Sequence, residues 1–301
     1  MNSAIATQDL TRRFGRTTAV DGLTLSVPEG SIYAFLGPNG AGKTTTIKML
    51  LNILQPTAGS ATILGVATTR LSPAEFTQVG YVSENQQMPE WMTVQQLIDY
   101  CRPMYPKWDS AFCTRLLQQF DLPPDRKLKS LSRGMKMKAA LLTSLAYRPR
   151  LLVLDEPFTG LDPLVRDEVI RGMLELTEQE NWTVFISSHD IDEVERLADW
   201  VGVINAGKIQ LAESAASLQS RFRRVECVVD AAAGLPASAP KSWLVPEVTP
   251  HRVCIVESEF APQASEARFM EFFPHATDLT VSEMSLREIF LALARTFRMK
   301  P

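Results

Sequence analysis

Apolar residues in the first two thirds of the chain fall in short unbroken runs rather than in alternation. "SIYAFLG" (31–37), "LLVLDEP" (151–157), "TVFISSH" (183–189) and "VGVIN" (201–205) are of this kind, with "SATILG" (60–65) and "VGYVS" (79–83) as shorter companions. Strands apolar on both faces belong to a buried, largely parallel sheet covered by helices. "KTTTIKMLLNIL" (43–54), after the first run, reads as one such helix. From about 92 to 148 the rhythm changes to consecutive helices. Thr93-x-x-Gln96 is a capping box that opens one, Asp109 can cap a second, and Pro123-Pro124 breaks it afterwards. The pattern predicts a helical insert, about 88–148, within an α/β domain.

The texture shifts again near residue 212. "AESAASLQS" is helical or linker-like, and "AAAGLPASAPKS" is loop-like. "RVECVVD" (224–230) and "RVCIVES" (252–258) alternate as half-buried strands do. "SEARFMEFF" (265–273) and "SLREIFLALART" (285–296) read as helices, the second opened by a Ser285-x-x-Glu288 capping box. The expected organisation is one domain over 1–215 and a small α+β domain over 220–301.

Composition narrows the classes. Of 301 residues, 45% are apolar, enough for a packed core, and the net charge of −3 argues against a dedicated nucleic-acid binder. No apolar run approaches the roughly 18–20 residues that cross a bilayer. "MNSAIATQDL" lacks a basic start followed by an apolar core, so no signal peptide is expected. Cys101, Cys113, Cys227 and Cys254 have no metal-like spacing and read as free thiols of a reducing compartment.

The chemistry sits at two of the strand ends. "GPNGAGKT", Gly37, Pro38, Asn39, Gly40, Ala41, Gly42, Lys43 and Thr44, matches G-x-x-x-x-G-K-[ST] between a strand and a helix. Its glycines let backbone N–H groups curl around phosphate oxygens, with the helix N-terminus adding a favourable dipole. Lys43 reaches the β- and γ-phosphates and Thr44 offers its hydroxyl to Mg²⁺; Thr45 follows in the same turn. "LLVLDEP" delivers Asp155 to the metal shell and sets Glu156 at the strand's C-terminal edge, where a carboxylate can orient and deprotonate a water.

The rest of the pattern identifies the family. "LSRGM" (131–135) lies about twenty residues before Asp155 at the start of a predicted helix, and a lone histidine closes the series in "ISSHD". P-loop, helical insert, Leu-Ser-x-Gly signature, Asp-Glu strand end and histidine, over about residues 5–215, resemble the ATP-binding-cassette (ABC) ATPases. The implied fold is a P-loop NTPase with a mostly parallel core sheet, an antiparallel β edge and a helical insert, here followed by the small C-terminal domain. The resemblance implies ATP and Mg²⁺ as ligands. It makes His189 the switch histidine that meets the γ-phosphate and Phe14 the aromatic that stacks on adenine. It also makes Ser132 and Gly134 the ligands of a γ-phosphate held on another subunit's P-loop. "TGLDP" (159–163) resembles the family's D-loop, with Asp162 as N-cap before Pro163. Arg133, Lys136 and Lys138 add positive potential or form a solvated face.

Three positions depart from the family. Glu84 stands where Gln is usual, and it brings charge to Mg²⁺ but cannot donate hydrogen bonds. Arg133 and Met135 replace residues of the commonest Leu-Ser-Gly-Gly-Gln.

With one cassette and no membrane span, the chain resembles the ATPase subunits of ABC-2-type exporters. That implies a cytoplasmic subunit, peripheral on the inner face of the cell membrane. It would power a permease on a separate chain and pair with a copy of itself or a second ABC ATPase. The expected cargo is drug-, antibiotic-, peptide- or lipid-like, and no nucleic-acid partner is expected. The alternative is a non-transport ABC ATPase acting as a regulatory or sensing module. Met88, Trp91 and Met92, in a Pro-containing segment, are the expected permease contacts, whereas Tyr100, Met104 and Tyr105 are expected in the insert's own core.

Overall fold

A computed structural model describes residues 2–84, 86–180, 182–193, 195–229 and 239–298. The chain divides into two compact units, Met1–Ala212 and Glu213–Pro301.

The first unit begins with two long strands, β1 (Ser3–Phe14) and β2 (Thr17–Pro28), paired antiparallel. β3 (Ile32–Leu36) leads into α1 (Lys43–Leu50), then β4 (Ala58–Ile63), β5 (Val66–Ala67), the short α2 (Pro73–Phe76) and β6 (Val79–Ser83). α3 (Val94–Cys101), α4 (Ser110–Gln119) and α5 (Arg133–Leu145) form the insert, before β7 (Leu151–Asp155), α6 (Pro163–Glu180), β8 (Thr183–Ser188), β9 (Trp200–Asn205) and β10 (Lys208–Ser214). The central sheet has the order β10-β9-β3-β8-β7-β6, with β6, β7, β8, β3 and β9 mutually parallel. Every residue of β3, β7 and β8 is buried, which is why these strands read as unbroken apolar runs.

The second sheet, β2-β1-β4-β5, is antiparallel. The length of β1 and β2 has little signal in the sequence. Four register shifts interrupt their pairing, and Asp9 takes a left-handed φ of 47°, so the period-2 pattern is repeatedly lost. Thr7 is buried in β1 but satisfied, donating to the Leu23 carbonyl at 2.8 Å and accepting from Leu25 N–H at 3.0 Å.

Caps fix the insert's helices where the sequence places them. Thr93 accepts from Gln96 N–H and Gln96 from Thr93 N–H. Asp109 accepts from Phe112 N–H at 2.9 Å and also holds Arg148. Ser132 caps α5 through Met135 N–H at 3.2 Å, and Asp162 caps α6 through Leu164 and Val165 N–H. The insert's apolar residues divide differently from expectation. Met92 is core at 7% exposure, packing where the Pro89–Met92 turn folds inward. Tyr100 and Met104, expected inside, are more than half exposed. Tyr105 is half-buried because its ring stacks on Tyr147, with centroids 3.8 Å apart.

The second unit contains α7 (Ala215–Arg221), β11 (Arg223–Val228), β12 (Trp243–Thr249), β13 (Arg252–Glu257), α8 (Pro262–Phe272), β14 (Thr277–Glu283) and α9 (Leu286–Arg298). Its sheet is antiparallel, in the order β12-β13-β11-β14. Val225, Cys227, Val253 and Ile255 pack with Trp243, Phe269 and Phe273. α9 opens with the Ser285–Glu288 box, Ser285 N–H donating to Glu288 Oε2 at 2.9 Å.

Candidate nucleotide site

The parallel register brings four strand ends to one level. Ser83 pairs with Asp155, Asp155 with Ser187, and Leu36 with Ser188. The loop from Gly37 to Gly42, the Asp155-Glu156 pair and His189 all leave the sheet at this C-terminal edge, where open α/β sheets bind ligands.

The loop after β3 has room only for glycines at its key points. A Cβ on Gly37 would lie 2.3 Å from the Ile204 carbonyl, and one on Gly42 2.5 Å from the Ala19 carbonyl. Gly40 and Gly42 have φ of +81° and +110°, which aim successive N–H groups into one concavity ahead of α1. Pro38, Asn39 and Gly40 are exposed there, Ala41 is buried, and Thr45 is half-buried in the first turn of α1. Such a concavity of N–H groups can accept phosphate oxygens.

Five predicted side chains meet around it. Lys43 Nζ donates to the Gly37 and Pro38 carbonyls at 2.6 and 3.1 Å and lies 3.1 Å from Glu156 Oε1. Thr44 Oγ1 donates to Asp155 Oδ1 at 3.1 Å. His189 Nδ1 is 2.7 Å from Glu156 Oε2. Burial pushes the Asp155 carboxyl above its ordinary value, although Ser187 and Thr44 oppose the shift. Burial acts the same way on Glu156, but the hydrogen bond from His189 and the Lys43 ammonium outweigh it, and its pKa falls below the ordinary value. The same bond to Glu156 raises His189. Glu156 has a φ of +53°, a costly conformation for a non-glycine residue and one typical of functional turns.

Ser132 and Gly134 stand apart from this network. Ser132 is exposed at the N-terminus of α5, and Gly134 is buried against α6, where a Cβ would lie 2.5 Å from Val165 Cγ1. Phe14, at the tip of the β1–β2 hairpin, is 44% exposed, with the Arg12 guanidinium 4.6 Å over its ring. Glu84 N–H donates to the Asp155 carbonyl at 2.9 Å, but its carboxylate pairs with Arg133 at 2.7 Å. Lys136 and Lys138 pair likewise with Glu90 and Glu168, so the positive potential expected at the signature is largely neutralised within the chain.

The match to the "ABC transporter" family model spans residues 20–159. The chain is 36% identical over 211 residues to the bacitracin transport ATP-binding protein BcrA of Bacillus licheniformis, covering 69% of both chains. It belongs to the ABC transporter family. It is similar also to the daunorubicin/doxorubicin resistance ATP-binding protein DrrA of Streptomyces peucetius, 35% identical over 225 residues, 72% of this chain and 67% of that one. A solved structure of an ATP-binding subunit of an ABC transporter superposes with a TM-score of 0.65 at 25% identity, covering 72% of this chain and 92% of that one. As an ABC ATPase the chain binds and hydrolyses ATP as the ATP-binding subunit of a transporter. No helix among its described residues is long and apolar enough to cross a membrane.

Three residues bonded into this network were given no role by the sequence reading. Ser187 donates to Asp155 Oδ1 at 2.7 Å and its Oγ accepts from Glu156 N–H at 3.1 Å. Thr159 donates to Glu156 Oε2 at 3.2 Å. Glu193, buried and raised in pKa by that burial, accepts from Ser188 beside the histidine. Ser187 could have been found by placing "ISSHD" on the strand next to "LLVLDEP". Thr159 opens the quoted "TGLDP" segment, but nothing in the sequence aims it at Glu156, and Glu193 had no signal beyond its nearness to "ISSHD".

The residues present suit Mg²⁺ with nucleotide. Thr44 and Asp155 offer adjacent hard oxygen donors, and Mg²⁺ is usually held by one or two such groups plus phosphates and water.

Proposed function

We propose that the chain hydrolyses ATP with Mg²⁺ at this site, in a head-to-tail pair of cassettes, to power export through a membrane permease. The observation that carries the reading is the Glu156 carboxylate, kept ionised by Lys43 and His189 beside the Thr44–Asp155 oxygen pair. Gly37 to Thr45 hold the phosphates. Thr44, Asp155 and Glu84 form the metal side of the site. Bound Mg²⁺ would neutralise phosphate charge. Glu156 takes the proton of the attacking water, Thr159 and His189 fix that carboxylate's orientation, and His189 senses the γ-phosphate. Phe14 offers an exposed ring to the adenine.

The exposure of Ser132 at a helix N-terminus supports its service to a partner cassette, either a second copy or a different ABC ATPase. Export of an antibiotic- or drug-like cargo is supported by the functions named for BcrA and DrrA. The subunit then works on the cytoplasmic face of the membrane. Trp91, Tyr100 and Met104 leave apolar surface exposed on the insert. Beside it, a cavity of about 420 Å³ is lined by Ile53, Phe76, Cys101, Tyr105 and Tyr147, which suits a permease segment.

The test is twofold. Hydrolysis is measured with and without Mg²⁺, and Glu156→Gln is examined by size exclusion for an ATP-stabilised pair. Co-purification from detergent-solubilised membranes then identifies the partner. A chain that binds ATP without turning it over, and captures no membrane protein, is a sensing module instead.

A further inference from the structure

Two of the positions where the chain departs from the family pattern are bonded to each other. Arg133 Nη2 lies 2.7 Å from Glu84 Oε1. A glutamine at 84 could not form this ion pair, and a glycine at 133 would leave the glutamate without it. The same guanidinium rests on the loop after β7. A Cβ on Gly160 would lie 2.4 Å from Arg133 Nη1 and 2.7 Å from Cζ, and Gly160 has a φ of +71°, so a side chain there would evict the arginine. One turn along α5, Lys136 Nζ is 3.3 Å from Glu90 Oε1.

The signature helix is therefore fastened to the segment after β6 by two ion pairs within one chain. The fastening meets the catalytic network at both ends. Glu84 N–H is bonded to the Asp155 carbonyl, and Thr159, next to Gly160, is bonded to Glu156.

We propose that Arg133 is a positioning residue, and that it competes with Mg²⁺ for the Glu84 carboxylate. This rests on the reading of Glu84 as a metal-side group. Two cations drawn to one carboxylate repel each other, so Mg²⁺·nucleotide weakens the Arg133 bond. That frees the guanidinium beside Ser132, at the helix end that faces a partner's phosphate. The pair is partly exposed, with side-chain exposures of 51% and 28%, and such pairs shift an equilibrium by up to about fivefold. A latch of that strength yields to a divalent cation instead of excluding it.

The test measures the Mg²⁺ midpoint for binding of a fluorescent ATP analogue in a Glu156→Gln background, where nucleotide is not consumed. Arg133→Gln should lower the midpoint about threefold when Glu84 is present and leave it unchanged when Glu84→Gln is added. Arg133→Lys, which keeps the charge, should stay near the parent. An equal effect of Arg133→Gln in both backgrounds, or none in either, overturns the competition while leaving the nucleotide reading intact. If Glu84→Gln alone does not raise the midpoint, Glu84 is not on the metal side and the proposal falls with that reading. Thermal melts of each variant show that the comparison is made on folded protein.

Discussion

The P-loop and signature regions, the two halves of the proposed ATP site, are built on opposite principles. On the P-loop half, Lys43, Asp155 and Glu156 are each less than one-tenth exposed, and their polar atoms interlock with Thr44, Ser187 and His189. On the signature half, Ser132 and Arg133 are exposed, and the α5 cations are held by pairs that reach solvent. Burial strengthens polar contacts and makes their loss costly, whereas exposed ion pairs are screened and individually weak. One half is preorganised for chemistry. The other can be re-formed, which suits the pairing proposed for it.

The largest effect that tests this contrast is on chemistry. Glu156→Gln should lower hydrolysis by about 10²–10⁴ while ATP binding persists, read by turnover and by nucleotide retention. Normal turnover would remove Glu156 from the base role and the preorganised half with it. Ser132→Ala, on the exposed half, should spare ATP binding by the single chain and impair pairing. In a mixed pair with both Lys43→Ala and Ser132→Ala on one chain, each composite site carries a lesion. Retention of half the activity would mean that the sites lie within single chains.

The same division runs through the insert, between adjacent residues. Met92→Ala should cost about 2–5 kcal/mol of stability, because its side chain is core. Trp91, 67% exposed, should leave the melt unchanged on conversion to Ala, yet weaken capture of the permease by about 2 kcal/mol, roughly thirtyfold. Unchanged capture would discard the docking role.

A smaller effect probes the joint between signature and core. Gly134→Ala sets a Cβ 2.5 Å from Val165 Cγ1, and overpacking of this kind costs about 1–3 kcal/mol, seen as a lowered melting temperature.

The smallest effect is in pH. His189 is raised above 6.5 by its bond to Glu156, so its contribution to stability is full below pH 6.5 and lost as pH rises through the raised value. Glu156 is lowered below 4.5, so its contribution is full above pH 4.5 and lost as pH falls through the lowered value. The pair supports the fold most between those limits. In the nucleotide-free protein, Glu156→Gln should return the His189 titration, followed by NMR, toward 6.5. An unmoved titration would show that the bond does not control the histidine.

The sequence by itself determined the parallel core and the chemical groups at its edge. Continuous apolar runs have one stable use, burial on both faces, and Gly37, Lys43, Asp155 and Glu156 are tied by short spacing to the ends of such runs. Caps at Thr93, Asp109 and Ser285 were legible because each acts within four residues. Only the tertiary structure decided which distant groups meet. It set Ser187 against Asp155 through the alignment of two strands and joined Arg133 to Glu84 across forty-nine positions. It also turned Met92 inward while leaving Tyr100 outside, since a mixed aromatic segment carries no period that says which face is covered. The bulged pairing of β1 with β2 was hidden for a related reason, because each register shift exchanges the two faces and erases the alternation from which a strand is read.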